Sequence, residues 1–207
     1  FIQNKSLELS LFLSLPATFA LLISSEQITS ALFGYGSFDY LSVKNSADAL
    51  YFFAIGLPAF ALIKVFSSYI FARHNTKTPF IISIYSVVIN IFISLYFFRD
   101  LGFIIIPIAT SISSWFNALI LFVYLIHKKY FFFNKSLIFA IFKILISSLI
   151  TSFLFYQLIQ YSGHLLDYES EYKLLTILLL VTVTFIIYIL ISILTKAFKI
   201  SDIKLKY

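Results

Sequence analysis

Six long apolar stretches, each able to cross a lipid bilayer, constrain this chain more than any other feature. The clearest is LLTILLLVTVTFIIYILISIL at 174–194, apolar on every side of a helix. A hydrocarbon core about 30 Å thick needs about 20 such residues in helical form. Five further stretches qualify, at about 7–32, 46–72, 78–98, 101–127 and 136–161, with the sixth at 172–197. Strands of a membrane barrel would show segments of about ten residues alternating apolar with polar, and these runs do not alternate. Composition agrees. The chain is 61% hydrophobic and 12% charged, where a soluble domain carries about 25% charged residues. A soluble globule of this length leaves about 30% of its chain surface in water, which so apolar a sequence cannot tolerate. The expectation is an all-α integral membrane protein with six transmembrane helices.

The connections between spans sort by charge. Lys5, the 73–77 connection, the stretch 127–135 and the tail from Lys196 together hold 10 Lys/Arg against the acids Glu8 and Asp202. The intervening connections hold Lys44, Arg99 and Lys173 against 7 acids, namely Glu26, Asp39, Asp48, Asp100, Asp167, Glu169 and Glu171. An excess of Lys/Arg marks cytoplasmic loops, so both ends are expected in the cytoplasm. The alternation at every loop supports the span count independently. The net charge of +6 is therefore a matter of membrane topology, and no nucleic-acid partner is expected. There is no Cys and no Met. Thiolate chemistry and disulfides are excluded, and Phe1 is expected to follow further residues of a longer protein.

Ionisable residues inside spans are costly, about 2.5–3.5 kcal/mol at the bilayer centre on insertion scales. Lys64 lies eight residues from the end of the second span, roughly 12 Å deep at 1.5 Å per residue. That depth strains simple snorkelling and points to a water-filled cavity or an anionic ligand. Lys143 is shallower and reads as structural. The third and fourth spans carry Ser83, Ser86, Asn90 and Ser94, then Thr110, Ser111, Ser113, Ser114 and Asn117. Interhelical hydrogen bonding explains any one of them; together they could supply hydroxyl, amide and carbonyl oxygens to a hard cation. Gly56, Pro58 and Pro107 stand within spans, where proline removes a backbone donor. They are either tolerated packing positions or hinges for alternating access. No acid pair sits at membrane depth, the three histidines fall in loops on both sides, and no phosphate-binding loop is present. The chain is not expected to be an enzyme.

The stretch Ile55-Gly56-Leu57-Pro58-Ala59-Phe60-Ala61-Leu62-Ile63-Lys64-Val65, followed by Phe71-Ala72-Arg73-His74-Asn75-Thr76-Lys77-Thr78-Pro79, resembles the MurJ/MviN family of lipid II flippases. Leu32-Phe33-Gly34-Tyr35-Gly36-Ser37-Phe38-Asp39 and the segment from Gly102 through Ala109-Thr110-Ser111 to Trp115-Phe116-Asn117-Ala118 agree as well. The match runs in order over about residues 15–125; beyond it the likeness is of position and hydropathy.

The resemblance implies a MOP-type transporter fold of fourteen helices, of which these six would be the ninth to the fourteenth. Residues 1–130 would be four helices of the second lobe, and 131–207 the C-terminal helix pair with a cytoplasmic tail. The implied activity is movement of the lipid-linked peptidoglycan precursor, lipid II, from the inner to the outer leaflet of the bacterial cytoplasmic membrane. It would proceed by alternating access and without ATP hydrolysis. Partners would be lipid II, membrane lipids and the N-terminal helices of the same protein. Lys64 and Asn117 are expected along the substrate path, Arg73, Asn75 and Lys77 in the cytoplasmic loop, and Gly56, Pro58 and Pro107 at hinges. Some members hold Na⁺ at positions that match Asn90, Ser94, Thr110 and the carbonyl of Ile106. Those members carry an acid where Ser94 stands, so no cofactor is expected, and Na⁺ is the one candidate coupling ion. Asn75 likewise replaces the family's usual Asp. The rival readings are another oligosaccharide-lipid flippase of the same superfamily, a membrane-embedded glycolipid transferase and a structural helix bundle.

Overall fold

A computed structural model describes residues 2–132 and 134–197; the tail residues Lys199, Asp202, Lys204 and Lys206 lie outside them. Every element among the described residues is helical. In chain order they are α1 (Ile2–Phe33), α2 (Tyr40–Phe71), α3 (Lys77–Leu101), a 3₁₀ turn (Gly102–Ile104), α4 (Ile105–His127), α5 (Lys135–Tyr161), the single turn α6 (Gly163–Leu166) and α7 (Lys173–Leu194).

Five continuous helical stretches are long and apolar enough to cross a membrane. The third, Lys77–His127, has 51 residues, about 77 Å if straight and far beyond a 30 Å core. It does not run straight. Gly102 takes φ 61°, a left-handed conformation that glycine adopts without steric cost, and the chain turns back there. Asn90 then meets Thr110, and Ser83 meets Asn117, so α3 and α4 form an antiparallel hairpin. The two expected spans at 78–98 and 101–127 correspond to its arms.

Helix ends follow local chemistry. Asp39 accepts a hydrogen bond from the Ser42 amide at 2.8 Å and so caps α2 at its N-terminus. Hydrogen bonding from the Ser42 side chain and amide holds the Asp39 carboxyl below its usual range. The C-termini of α2, α4 and α7 share one motif. His74, Lys129 and Lys196 have φ of 56°, 55° and 54°. The amides that follow them, of Asn75, Tyr130 and Ala197, reach back to the carbonyls of Ile70, Leu125 and Ser192. This is the Schellman closure, in which glycine usually holds the left-handed position. Here a cationic or titratable residue does, next to the negative end of the helix dipole. α1 kinks at Ser24 (φ −127°, ψ 24°), where the Ser24 hydroxyl donates to the Ala20 carbonyl at 2.7 Å, a back-bond that bends helices.

The chain forms two compact units, Phe1–Ser14 with Asp48–Asn134, and Leu15–Ala47 with Lys135–Tyr207. In the first, α4 is the most enclosed helix, its buried side including Ala109, Ser111, Ser114, Asn117, Leu121 and Leu125. In the second, Ala31, Phe155, Ile159, Leu166, Ile177 and Leu180 make an apolar core. Below it a polar seam joins α5 to α7. Ser147, Ser148 and Ser192 are fully buried there, and Ser147 and Thr195 share a hydroxyl hydrogen bond at 3.0 Å. Small hydroxylated residues are the usual means of close helix pairing in lipid. Many outward residues are large and apolar, among them Leu95 at 74% exposure. In a membrane, lipid or neighbouring helices cover such surface.

Candidate functional site

The glycine-proline segment of α2 lies against α4. A Cβ on Gly56 would stand 2.7 Å from the Ser111 hydroxyl oxygen and 3.1 Å from the Ser111 Cα, so only glycine permits this approach. Ser111 donates to the Phe52 carbonyl at 2.6 Å, and the Trp115 indole N–H donates to the Ile55 carbonyl at 3.0 Å. A proline inside a helix leaves the carbonyl four residues earlier without its helical donor, here that of Ala54, and the two α4 side chains bond to carbonyls on either side of it, at Phe52 and Ile55. α2 remains one continuous helix through Pro58. Pro107 sits in the first turn of α4, a position where its missing N–H costs no intrahelical bond. The three candidate hinge residues thus cluster around one α2–α4 contact and its helix start.

Hydroxyls and amides line the α3–α4 hairpin. The Asn90 amide donates to Thr110 Oγ1 at 3.1 Å and to Ser113 Oγ at 3.3 Å. The Thr110 hydroxyl in turn donates to the Ile106 carbonyl at 2.8 Å. Asn90, Thr110 and Ile106, expected as cation ligands, are therefore brought together. The antiparallel register sets Ser94 at the level of Ile106, with its hydroxyl buried and without a partner. The set carries no carboxylate; the Thr110 hydroxyl and the Ile106 carbonyl already serve one another, while the Ser94 hydroxyl is left over. Asn117 is buried, donates to Ser83 Oγ at 3.4 Å, and leaves its Oδ1 buried without a partner.

Around the 72–76 turn, side chains fasten α2, α3 and α4 to one another. Arg73 donates to the carbonyls of Tyr69 (2.7 Å) and Tyr130 (3.3 Å), and its guanidinium stands 4.2 Å from the centre of the Tyr130 ring. Asn75 accepts from the Thr78 amide at 3.1 Å, and its own amide donates to Thr78 Oγ1 and to the Tyr124 hydroxyl, at 2.9 and 3.0 Å. It therefore caps the start of α3 and ties it to α4 without a charge. Lys77 is exposed. Lys64 is also exposed, on a helix whose next two residues, Val65 and Phe66, are buried. Its side chain makes no hydrogen bond or ion pair among the described residues.

Sequence reasoning did not single out Trp115, Tyr124 or Tyr130, which complete these contacts. Nor did it foresee Lys173, read as one of the loop charges. Lys173 is 2% exposed. Its ammonium donates to the Gly34 carbonyl at 2.7 Å and to the Tyr168 carbonyl, and lies 4.4 and 4.7 Å from the Tyr35 and Tyr168 ring centres. The signal for it was a lysine opening an apolar run, opposite a tyrosine-rich turn.

Comparison with known proteins gives a consistent picture. The profile of the family described as lipid II flippase MurJ matches residues 2–177. A Rickettsia prowazekii protein named "Probable lipid II flippase MurJ" is 40% identical over 123 residues, covering 59% of this chain and 24% of that protein. A Rhizobium meliloti protein of the same name is 42% identical over 127 residues, covering 61% and 24%. The chain thus spans about a quarter of the length of these relatives. Among solved structures, one titled "Lipid II flippase MurJ, inward closed conformation" superposes with a TM-score of 0.75 at 26% identity, over 94% of this chain and 38% of that one. The chain is a multi-pass membrane segment that belongs to the lipid II flippase MurJ family.

Proposed function

We propose that this chain is the C-terminal part, helices nine to fourteen, of a protein that moves lipid II from the inner to the outer leaflet of the bacterial cytoplasmic membrane. It does so by alternating access, without ATP hydrolysis. The observation that carries the reading is the likeness to a flippase fold over nearly the whole chain, joined to family-specific sequence across α2 and the turn after it. Both ends of the segment face the cytoplasm, on the charge asymmetry of the loops. The headgroup site and the rest of the transport path lie in the remaining helices of the longer protein.

In this reading Lys64 is the principal substrate-path residue. An exposed ammonium on a membrane-spanning helix is costly against lipid, and a water-filled path or an acidic group of the substrate removes that cost. Asn117, with a free amide oxygen, lies on the same route. The Gly56–Ser111 contact, where only the Ser111 side chain stands between α2 and α4, is the pivot between these two helices. The Asn90–Thr110–Ile106 set acts as a hairpin fastener rather than a Na⁺ site, so transport by this protein is insensitive to replacing Na⁺ with K⁺ at constant membrane potential. The test is Lys64→Ala in the full-length protein, expressed in cells depleted of their own flippase. The expected result is loss of rescue at unchanged membrane abundance; full rescue would remove Lys64 from the path.

A further inference from the structure

Within the second unit, the C-terminal ends of α1 and α5, the start of α2 and the turn around α6 border a partly open cavity of about 230 Å³. Two carboxylates line it, Glu26 and Asp167, with the amides of Gln27 and Gln160. Neither acid has an ion-pair partner among the described residues. Tyr40 donates to Glu26 Oε1 at 2.8 Å and so fixes one carboxylate. Ser30 also lines the cavity; it is 4% exposed, and its hydroxyl has no hydrogen-bond partner. A helical serine can back-bond to the carbonyl four residues earlier, as Ser24 does here; Ser30 does not. A buried hydroxyl without a partner costs stability that a bound donor restores.

We infer that this cavity binds a primary ammonium group. The walls offer acceptors and negative charge, and Lys173, the buried cation of this unit, is committed to the Gly34 and Tyr168 carbonyls. Size argues against a bare metal ion, because 230 Å³ is room for several water molecules. No group of three His, Cys, Asp or Glu among the described residues is suited to a metal. An ammonium carries three N–H donors, matching in number the two carboxylates and the orphaned hydroxyl. A quaternary ammonium has none and offers charge without a hydrogen bond. An adjoining open cavity of about 860 Å³ shares Tyr40, Asp167 and Tyr168 and adds His164, Glu169 and Glu171. Its three carboxylates draw cations toward the inner site. The inference stands on this unit alone and does not depend on lipid II transport.

Two sources supply such a group: the headgroup of phosphatidylethanolamine, or a soluble amine. The test uses the full-length protein in phosphatidylcholine nanodiscs, titrated with ethanolamine and separately with choline, with the thermal midpoint as readout. Ethanolamine is expected to raise the midpoint saturably and choline to leave it unchanged. Glu26→Gln keeps the Tyr40 hydrogen bond, and Asp167→Asn alters an exposed residue; each should weaken the ethanolamine response at least tenfold. Should Glu26→Gln not fold, Asp167→Asn carries the test. Repeating the titration in phosphatidylethanolamine nanodiscs separates the sources: a lost response assigns the site to the lipid headgroup, a retained one to a soluble amine. Equal responses to ethanolamine and choline, or variants that respond like the wild type, would overturn the inference.

Discussion

Single residues in this chain do opposite things at the two sides of the loop charge pattern. On the basic side, three helices end on a left-handed residue that is not glycine, at a steric cost of about 1 kcal/mol each. His74→Gly should therefore raise stability by about that amount, read as a higher thermal midpoint of the purified protein; a lower midpoint would mean that the imidazole makes contacts worth more than the strain. Within the membrane, a Cβ on Gly56 would stand 2.7 Å from the Ser111 hydroxyl oxygen and 3.1 Å from the Ser111 Cα, so any side chain there forces α4 to give. Gly56→Val should cost about 1–3 kcal/mol through overpacking, and Gly56→Ala less. Gly56 was legible as a special residue and His74 was not, yet only the structure gives the reason for Gly56, since the partner is 55 residues away in sequence. Lys173 was harder still. A lysine beside acids in a loop reads as solvated, and its burial depends on Gly34 and Tyr168 carbonyls that no local pattern announces.

At the scale of elements, the apolar runs gave the helices well and their ends poorly. Helix α2 begins at Tyr40, six residues before its apolar stretch, because a capped polar segment extends a helix as readily as an apolar one. α6 carries no hydropathy signal at all. The α3–α4 hairpin was visible as two spans, but its polar lining had two readings, cation site or fastener. The geometry favours the fastener, since Asn90 donates to two α4 hydroxyls. Asn90→Leu should then weaken the hairpin by about 0.6 kcal/mol per lost bond, up to about 1.7. The check is the unfolding midpoint in detergent of fixed composition. A midpoint at or above the wild-type value would favour a bundle in which the polar pairs carry no weight.

For the whole molecule, large apolar residues stand exposed, which lipid or neighbouring helices cover in a membrane, and the Lys64 side chain makes no hydrogen bond or ion pair among the described residues. The family was readable from α2 and the following turn, where glycine, proline and lysine stand at spacings that hydropathy alone does not require. Transport was not readable in the same way, because the chain spans about a quarter of the length of the relatives it matches. The most direct measurement is the appearance of lipid II in the outer leaflet of flippase-depleted cells, detected by an externally added lipid II-cleaving probe, when the full-length protein is expressed. The account predicts that cleavage product returns with the wild type and not with Lys64→Ala. Membrane-inserted, stable wild-type protein that leaves lipid II inaccessible to the probe would contradict it.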